Sequence, residues 1–199
     1  MLTKPEIEEL IDADKIVIRP LLDRKKQLGE LTIDLRLGTD FLVSNLSRNP
    51  YINIDSKENV GKCHMQSYFS QTRRLLGEQI VLYPNQTVLA STLEYIKLPK
   101  DISCKLYMRS SYGRLGLSLS TIIHAGYCGC LSIELTNTNT NIIKLTTGTR
   151  IVQVAFYKLS QETEYFSRKR KYLCQVRPIL SAAQNDTELS KLAELRNEI

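Results

Sequence analysis

The feature that most constrains this chain is a succession of short apolar runs, each closed by a turn signal. IVLY precedes Pro84-Asn85, TVLAST follows it, and YIKL stops at Pro99. LSIEL precedes Asn137, IIKL precedes Gly148, and RIVQVAFY comes last. Runs of this length with Pro, Gly and Asn between them read as strands, and many short strands in series predict a β-barrel or sandwich. Upstream, Leu31, Ile33, Leu35 and Leu37 alternate with Thr32, Asp34 and Arg36. That period of two predicts a half-buried strand, ended by Gly38. Residues 44–75 are polar and irregular, with Asn45, Asn49, Pro50 and Gly61 as breakers, and predict a long insert with little structure of its own.

Helices are expected at both ends. Thr3, Pro5 and Glu6 form a helix-start signature, with Glu6 three residues after a capping threonine and Pro5 in the first turn. Ile7, Leu10 and Ile11 supply its apolar stripe. The tail from Thr187 reads as a helix with Leu189, Leu192 and Leu195 on one face, suited to subunit packing. The expected organisation is one domain over 1–180, carrying the insert at about 44–75, and a helical tail over 181–199.

With 199 residues, 42% hydrophobic and 24% charged, the chain has the composition of an ordinary globular domain. It contains no apolar run approaching the roughly 20 residues that span a bilayer. Its polar, acidic N-terminus differs from a signal peptide. A cytoplasmic protein without a membrane partner is expected. Five cysteines, an odd number without framework spacing, fit a reducing compartment. The formal charge of +6 and the clusters Arg24-Lys25-Lys26 and Arg168-Lys169-Arg170-Lys171 suit an anionic partner. Neither an RNA-recognition signature nor a C2H2 pattern is present, so nucleic acid is not the expected anion.

Chemistry concentrates between Met108 and Asn137. Arg109, Ser110, Ser111 and Arg114 gather two guanidinium groups and two hydroxyls around Gly113, with Gly116 close behind. Guanidinium forks and hydroxyls suit phosphate, although a solvated turn has the same composition. In Leu131-Ser132-Ile133-Glu134-Leu135, alternation places the three apolar residues on one face and Ser132 and Glu134 on the other. Glu134 is then either an exposed strand residue or a proton carrier in a cavity, where burial would raise its pKa. His124, Cys128 and Cys130 offer zinc-ligand chemistry without an evident fourth ligand, and small buried cysteines are the expected reading. Cys63-His64 lies in the insert and is read as incidental.

Four segments resemble the dCTP deaminase family of the trimeric dUTPase-like superfamily: IDLRLG (33–38), VLYPNQTVLASTLEYIKLP (81–99), RSSYGRLGL (109–117) and GYCGCLSIELTN (126–137). Lys171-Tyr172 followed by Gln175 resembles the family's C-terminal KYxxQ. The resemblance implies a distorted β-barrel or jelly roll assembled as a homotrimer, with active sites between neighbouring subunits. It implies metal-independent deamination of dCTP to dUTP and ammonia. Glu134 would be the proton carrier, and Ser110 and Arg114 would hold the water and the base, with the backbone near Ser120 adding a contact. Arg109, Ser111, Lys171 and Gln175 would meet the triphosphate, and Tyr127 would pack on the deoxyribose. Magnesium would ride on the triphosphate, without zinc or a protein cage for any metal. The implied ligands are dCTP and dUTP, with dTTP as a candidate inhibitor.

One turn departs from the family. Its usual I-D-P-G-W/Y is here Ile123-His124-Ala125-Gly126-Tyr127. The aspartate replaced by His124 orients hydrolytic water and touches the sugar in the dUTPase branch. Its loss argues against dUTP hydrolysis, as does the missing glycine-rich C-terminal motif. Gln153 in RIVQVAF is more like dUTPases, and Val176-Arg177-Pro178 replaces the usual small-residue run. A dUTP diphosphatase and a non-catalytic deoxynucleotide-binding regulator on the same scaffold remain the alternatives.

Overall fold

Antiparallel pairing dominates the computed structural model, which describes residues 1–45, 52, 65–167, 170–183, 188, 191, 192 and 195. The strands are β1 (Val17–Arg19), β2 (Ile33–Ser44), β3 (Phe69–Arg73), β4 (Gln79–Leu82), β5 (Thr87–Lys97) and β6 (Ile102–Met108). They continue with β7 (Leu117–Ser118), β8 (Ser120–Ile123), β9 (Cys128–Asn137), β10 (Ile143–Thr146) and β11 (Arg150–Lys158). The large sheet runs β7-β9-β5-β2-β11-β6-β8, with β1 added to β5 and β3 to β2, while β10 and β4 form a separate pair. The fold is mainly β, built on one large antiparallel sheet with a few short helices.

Strand alternation builds the core. Leu35 and Leu37 of β2, Val88 and Ala90 of β5, Leu106 of β6, Ile133 and Leu135 of β9, and Val152 and Val154 of β11 have no exposed surface. Burying a side chain such as Leu or Ile fully contributes about 1.5–3 kcal/mol. Helix α1 (Lys4–Asp12) covers one end with buried Ile7 and the partly buried Leu10 and Ile11. Its first turn is held by Glu6, whose carboxylate accepts from both the backbone N–H and the hydroxyl of Thr3 at 2.7 Å. Among the described residues no helix is long and apolar enough to cross a membrane.

Several expectations need correction. Gly38 does not end β2. The pairing with β5 shifts register between Leu37 and Phe41, and a Cβ at Gly38 would stand 2.7 Å from the Ser91 carbonyl oxygen. Glycine here lets two strands approach while the strand continues. TVLAST and YIKL are one strand, β5, interrupted by a second irregularity between Ser91 and Tyr95. The insert is not structureless throughout. Met65–Tyr68 forms a 3-10 turn, and β3 pairs with Asp40 to Ser44 of β2. Its polar sequence hid it, because an edge strand is held by backbone hydrogen bonds and needs no apolar face. ISCKLYM, not expected as a strand, forms β6. Of the insert, residues 46–51 and 53–64 lie outside the described residues. Of the C-terminal helix, Glu188, Lys191, Leu192 and Leu195 are helical, and Leu192 and Leu195 are exposed; Leu189 lies outside the described residues.

The polar face of β2 is not the solvated face that alternation suggested. Asp34 is buried, and Arg36 is partly covered. The irregularity in β5 turns Glu94 inward, where it has no exposed surface. Its carboxylate accepts from Gln27 Nε2 at 3.0 Å and from the Arg36 backbone N–H at 2.8 Å, with Arg36 Nε 3.9 Å away. Gln27 belongs to the short helix α2 (Arg24–Gln27). Burial outweighs these hydrogen bonds and the Arg36 charge, raising the Glu94 pKa to about 7.

Candidate active site

Strand β9 carries two opposite faces. Leu131, Ile133 and Leu135 are buried in the core, as alternation predicted. Ser132 and Glu134 line a cavity of about 640 Å³ on the other side. Leu89, Ile122, Ile123 and Ile179 give that cavity an apolar lining. Glu134 sits opposite Leu89 in the β5–β9 register. It is open to solvent on the cavity side, yet the protein around it removes enough water to raise its pKa above the ordinary 4.5. A backbone hydrogen bond pulls the other way. Among the described residues it is the one carboxylate on the cavity lining.

The turn between β8 and β9 forms another wall. Gly126 donates to the Pro99 carbonyl at 2.8 Å, and Leu98 donates to the Tyr127 carbonyl at 2.8 Å. Gly126 has φ +79, and a Cβ there would stand 2.9 Å from Tyr165 Cβ. Glycine satisfies both constraints. His124 is exposed at the cavity, whereas Tyr127 is buried with its hydroxyl donating to the Cys130 carbonyl at 2.6 Å. The Tyr127 ring meets Tyr165 edge-on at 5.9 Å.

The segment 170–183 closes the remaining side. Arg170, Lys171, Tyr172 and Gln175 line the cavity. Arg170 stacks 4.4 Å over the Tyr165 ring and donates to the Tyr165 carbonyl at 2.9 Å. Gln175 is seated against β9. Its backbone carbonyl accepts from Cys130 N–H at 2.7 Å, and its side-chain oxygen accepts from the Ser132 hydroxyl at 2.9 Å. Its amide nitrogen Nε2 is buried with no hydrogen-bond partner. A buried donor left unpaired costs about 1–3 kcal/mol, so this nitrogen is suited to an incoming acceptor.

The Arg-Ser-Ser segment stands elsewhere on the chain. Ser110–Gly113 forms the short helix α3, with Arg109 at its start and Arg114 at its end. Ser110, Ser111 and Arg114 are exposed. Arg109 pairs with Asp34 at 3.1 Å and donates to the Arg150 carbonyl at 2.9 Å. None of these four lines the Glu134 cavity. Ser120 opens β8, paired with Tyr107. The fold therefore brings Glu134, His124, Tyr127, Lys171 and Gln175 together and leaves Arg109, Ser110, Ser111 and Arg114 apart on the same chain.

Residues 1–159 match the family described as dCTP deaminase-like. The chain belongs to the dCTP deaminase family. A dCTP deaminase, dUMP-forming, of Methanobrevibacter smithii is 31% identical over 198 residues, covering 96% of this chain and 99% of that protein. A dUMP-forming dCTP deaminase of Dictyoglomus turgidum is 34% identical over 196 residues, covering 94% and 96%. A dCTP deaminase of Halorubrum lacusprofundi is 32% identical over 188 residues, covering 92% and 90%. Among solved structures, the 2'-deoxycytidine 5'-triphosphate deaminase from Agrobacterium tumefaciens aligns with a TM-score of 0.59 at 24% identity. That alignment covers 78% of this chain but 46% of the other, so this chain spans about half its length, and the likeness bears on the fold.

Sequence reasoning missed Tyr165, Arg170 as a stacked group, and Tyr172 as cavity residues. Arg170 was visible in a basic run, but nothing local marks a cation that will lie over a tyrosine five residues earlier. Ser132 was visible on the Glu134 face; its partner, 43 residues away, was not. Cys128 and His124 do not act together: the Cys128 thiol lies 3.1 Å from that of Cys174, while His124 faces the cavity. Among the described residues no three His, Cys, Asp or Glu side chains form a cluster able to hold a metal ion.

Proposed function

We propose that this chain deaminates dCTP by hydrolysis at C4, yielding dUTP and ammonia, with Glu134 carrying the protons. The supporting observation is the position of Glu134: one carboxylate, raised in pKa, in an apolar-walled cavity beside a basic tail. An ionised Glu134 takes a proton from water as its oxygen attacks C4. The protonated carboxyl gives that proton to N3, takes the second proton from the new C4 hydroxyl and passes it to the amino group, so that the C4–N bond breaks, the C4 carbonyl forms and ammonia leaves. A carboxyl with a raised pKa exchanges protons closer to neutrality in both directions. Dedicated metal chemistry is not required by this scheme. Magnesium enters as the counter-ion of the substrate triphosphate.

The residues divide the substrate between them. Tyr127 and His124, on the cavity lining, would meet the sugar, and Lys171 and Gln175 would offer a cation and an N–H donor to phosphate oxygens. Ser110 and Arg114 would hold the attacking water and the base, the backbone near Ser120 would touch that water, and Arg109 and Ser111 would reach the triphosphate. Because these side chains stand outside the Glu134 cavity, they would serve the cavity of a neighbouring copy. A homotrimer with shared sites is therefore part of the proposal.

The names of several relatives favour a second reading, in which the product continues to dUMP. His124, where an aspartate would orient water for that step, speaks for release at dUTP. One incubation decides between them. With magnesium and dCTP, the proposal expects ammonia and dUTP in equal amounts without pyrophosphate. Stoichiometric pyrophosphate and dUMP would establish the second reading, and unreacted dCTP would leave only a binding protein.

A further inference from the structure

The thiols of Cys128 and Cys174 stand 3.1 Å apart, 46 residues from each other in sequence. A disulfide bond is about 2.05 Å long, so about 1 Å of approach separates this contact from a covalent one. Both cysteines are free. Cys174 is exposed, whereas Cys104 is buried in the core and Cys130 is partly covered. Cys174 also has φ +48, a left-handed conformation that non-glycine residues adopt only when their surroundings enforce it. The enforcing contacts flank it. The Tyr172 carbonyl accepts from the Tyr165 hydroxyl at 3.3 Å, and the Gln175 carbonyl accepts from Cys130 N–H at 2.7 Å. These anchors direct the Cys174 thiol at the first residue of β9.

The location gives the pair a consequence. Cys128 begins the strand that carries Ser132 and Glu134, and Cys174 lies between Tyr172 and Gln175, which line the cavity. Gly129 clears the way for this seat, since a Cβ there would stand 2.5 Å from the Gln175 carbonyl oxygen. A covalent link would tie the tail to the strand at the cavity wall. We propose that Cys128 and Cys174 form a redox-responsive dithiol whose disulfide latches the tail across the cavity and slows exchange of nucleotide.

Hydrogen peroxide is the oxidant class that fits an exposed thiol. The Cys174 thiolate attacks one peroxide oxygen and breaks the O–O bond, giving a sulfenic acid and water after proton uptake. The Cys128 thiolate then attacks the Cys174 sulfur and displaces a second water as the S–S bond forms. Two thiols are oxidised by two electrons, and one peroxide is reduced to two waters. A dithiol reductant reverses the change by exchange.

The pairing rests on geometry, and its effect on turnover rests on the deaminase reading. The test treats the 199-residue chain with hydrogen peroxide and follows cross-linked peptides, trypsin cleavage after Lys171, and dCTP turnover. The expected result is a Cys128–Cys174 peptide, with the thiol count falling from five to three per chain. Cleavage after Lys171 and turnover should each slow about tenfold, return with dithiothreitol, and not slow in Cys174→Ser or Cys128→Ser. Cys130→Ser should respond as the parent does. Absence of the cross-link, equal slowing in Cys174→Ser, or a cross-link that leaves cleavage unchanged would each overturn the latch. A reduced protein that never turns over dCTP would instead overturn the deaminase reading, while the cross-link and cleavage rates still decide the latch.

Discussion

The Ser132 hydroxyl donates a 2.9 Å hydrogen bond to the side-chain oxygen of Gln175, while the amide nitrogen of the same glutamine is buried without a partner. The bond fixes the orientation of the amide and leaves its N–H groups without an acceptor. Gln175→Leu removes the donor and strands the Ser132 hydroxyl. KM for dCTP should rise roughly tenfold to a hundredfold, with kcat much less affected, because the lost contact serves ground state and transition state alike. Steady-state kinetics at saturating magnesium measure this; an unchanged KM would remove Gln175 from the substrate site.

Gly129 tests how the tail is seated. An alanine there faces the Gln175 carbonyl oxygen at 2.5 Å and the Tyr127 hydroxyl at 2.8 Å, at a φ of +142 that disfavours any Cβ. Gly129→Ala should push the tail off β9. Trypsin should then cleave after Lys171 faster, and urea unfolding should report a loss of about 1–3 kcal/mol. A variant with unchanged cleavage and stability would contradict the seat described here.

Glu94 predicts a pH dependence of stability. Its folded-state pKa of about 7 lies above its ordinary 4.5, so between those values the folded chain holds the proton more tightly than the unfolded chain does. Stability from this group is therefore greatest below about pH 4.5 and falls as pH rises to about 7, by at most about 3 kcal/mol. Glu94→Gln should flatten that slope. It should also lower the baseline, because its new N–H donors face Gln27 Nε2 or Arg36 N–H. Urea melts of both proteins across this range measure the difference, and equal slopes would exclude Glu94 as the titrating group.

The separation of residues 109–114 from the Glu134 cavity makes subunit sharing testable by mixing. Glu134→Gln and Arg114→Ala should each be inactive alone. Co-refolded in equal amounts, they should recover about one quarter of parent activity, because a quarter of shared sites draw both intact residues. No recovery from a mixed oligomer would place both residues in one subunit's site.

The parts of the fold legible in the sequence were those where alternation met an apolar core. Ile33, Leu35 and Leu37, and likewise Leu131, Ile133 and Leu135, announced their strands and their buried face. The illegible parts were set by contacts distant in sequence. Gly38 looks like a stop, yet it is a close approach to Ser91 that only the neighbouring strand reveals. Asp34 and Glu94 look solvated, yet Arg109, Arg150, Gln27 and Arg36 cover them from other elements. For the site, Glu134 and Ser132 were visible as one face of one strand. The tail that closes over them was visible only as Lys171 and Gln175; Tyr165 and the Cys128–Cys174 contact depend on how that tail folds back.

The most direct test of the central claim is the rate of dCTP deamination by Glu134→Gln against pH. In the parent, kcat/KM should fall in acid with an apparent pKa above the ordinary 4.5, as the raised carboxyl is protonated before it can accept a proton from water. The variant should bind dCTP yet deaminate it about a thousandfold more slowly, without that acid limb. A Glu134→Gln protein that deaminates dCTP within tenfold of the parent, with the same acid limb, would contradict the role given to Glu134.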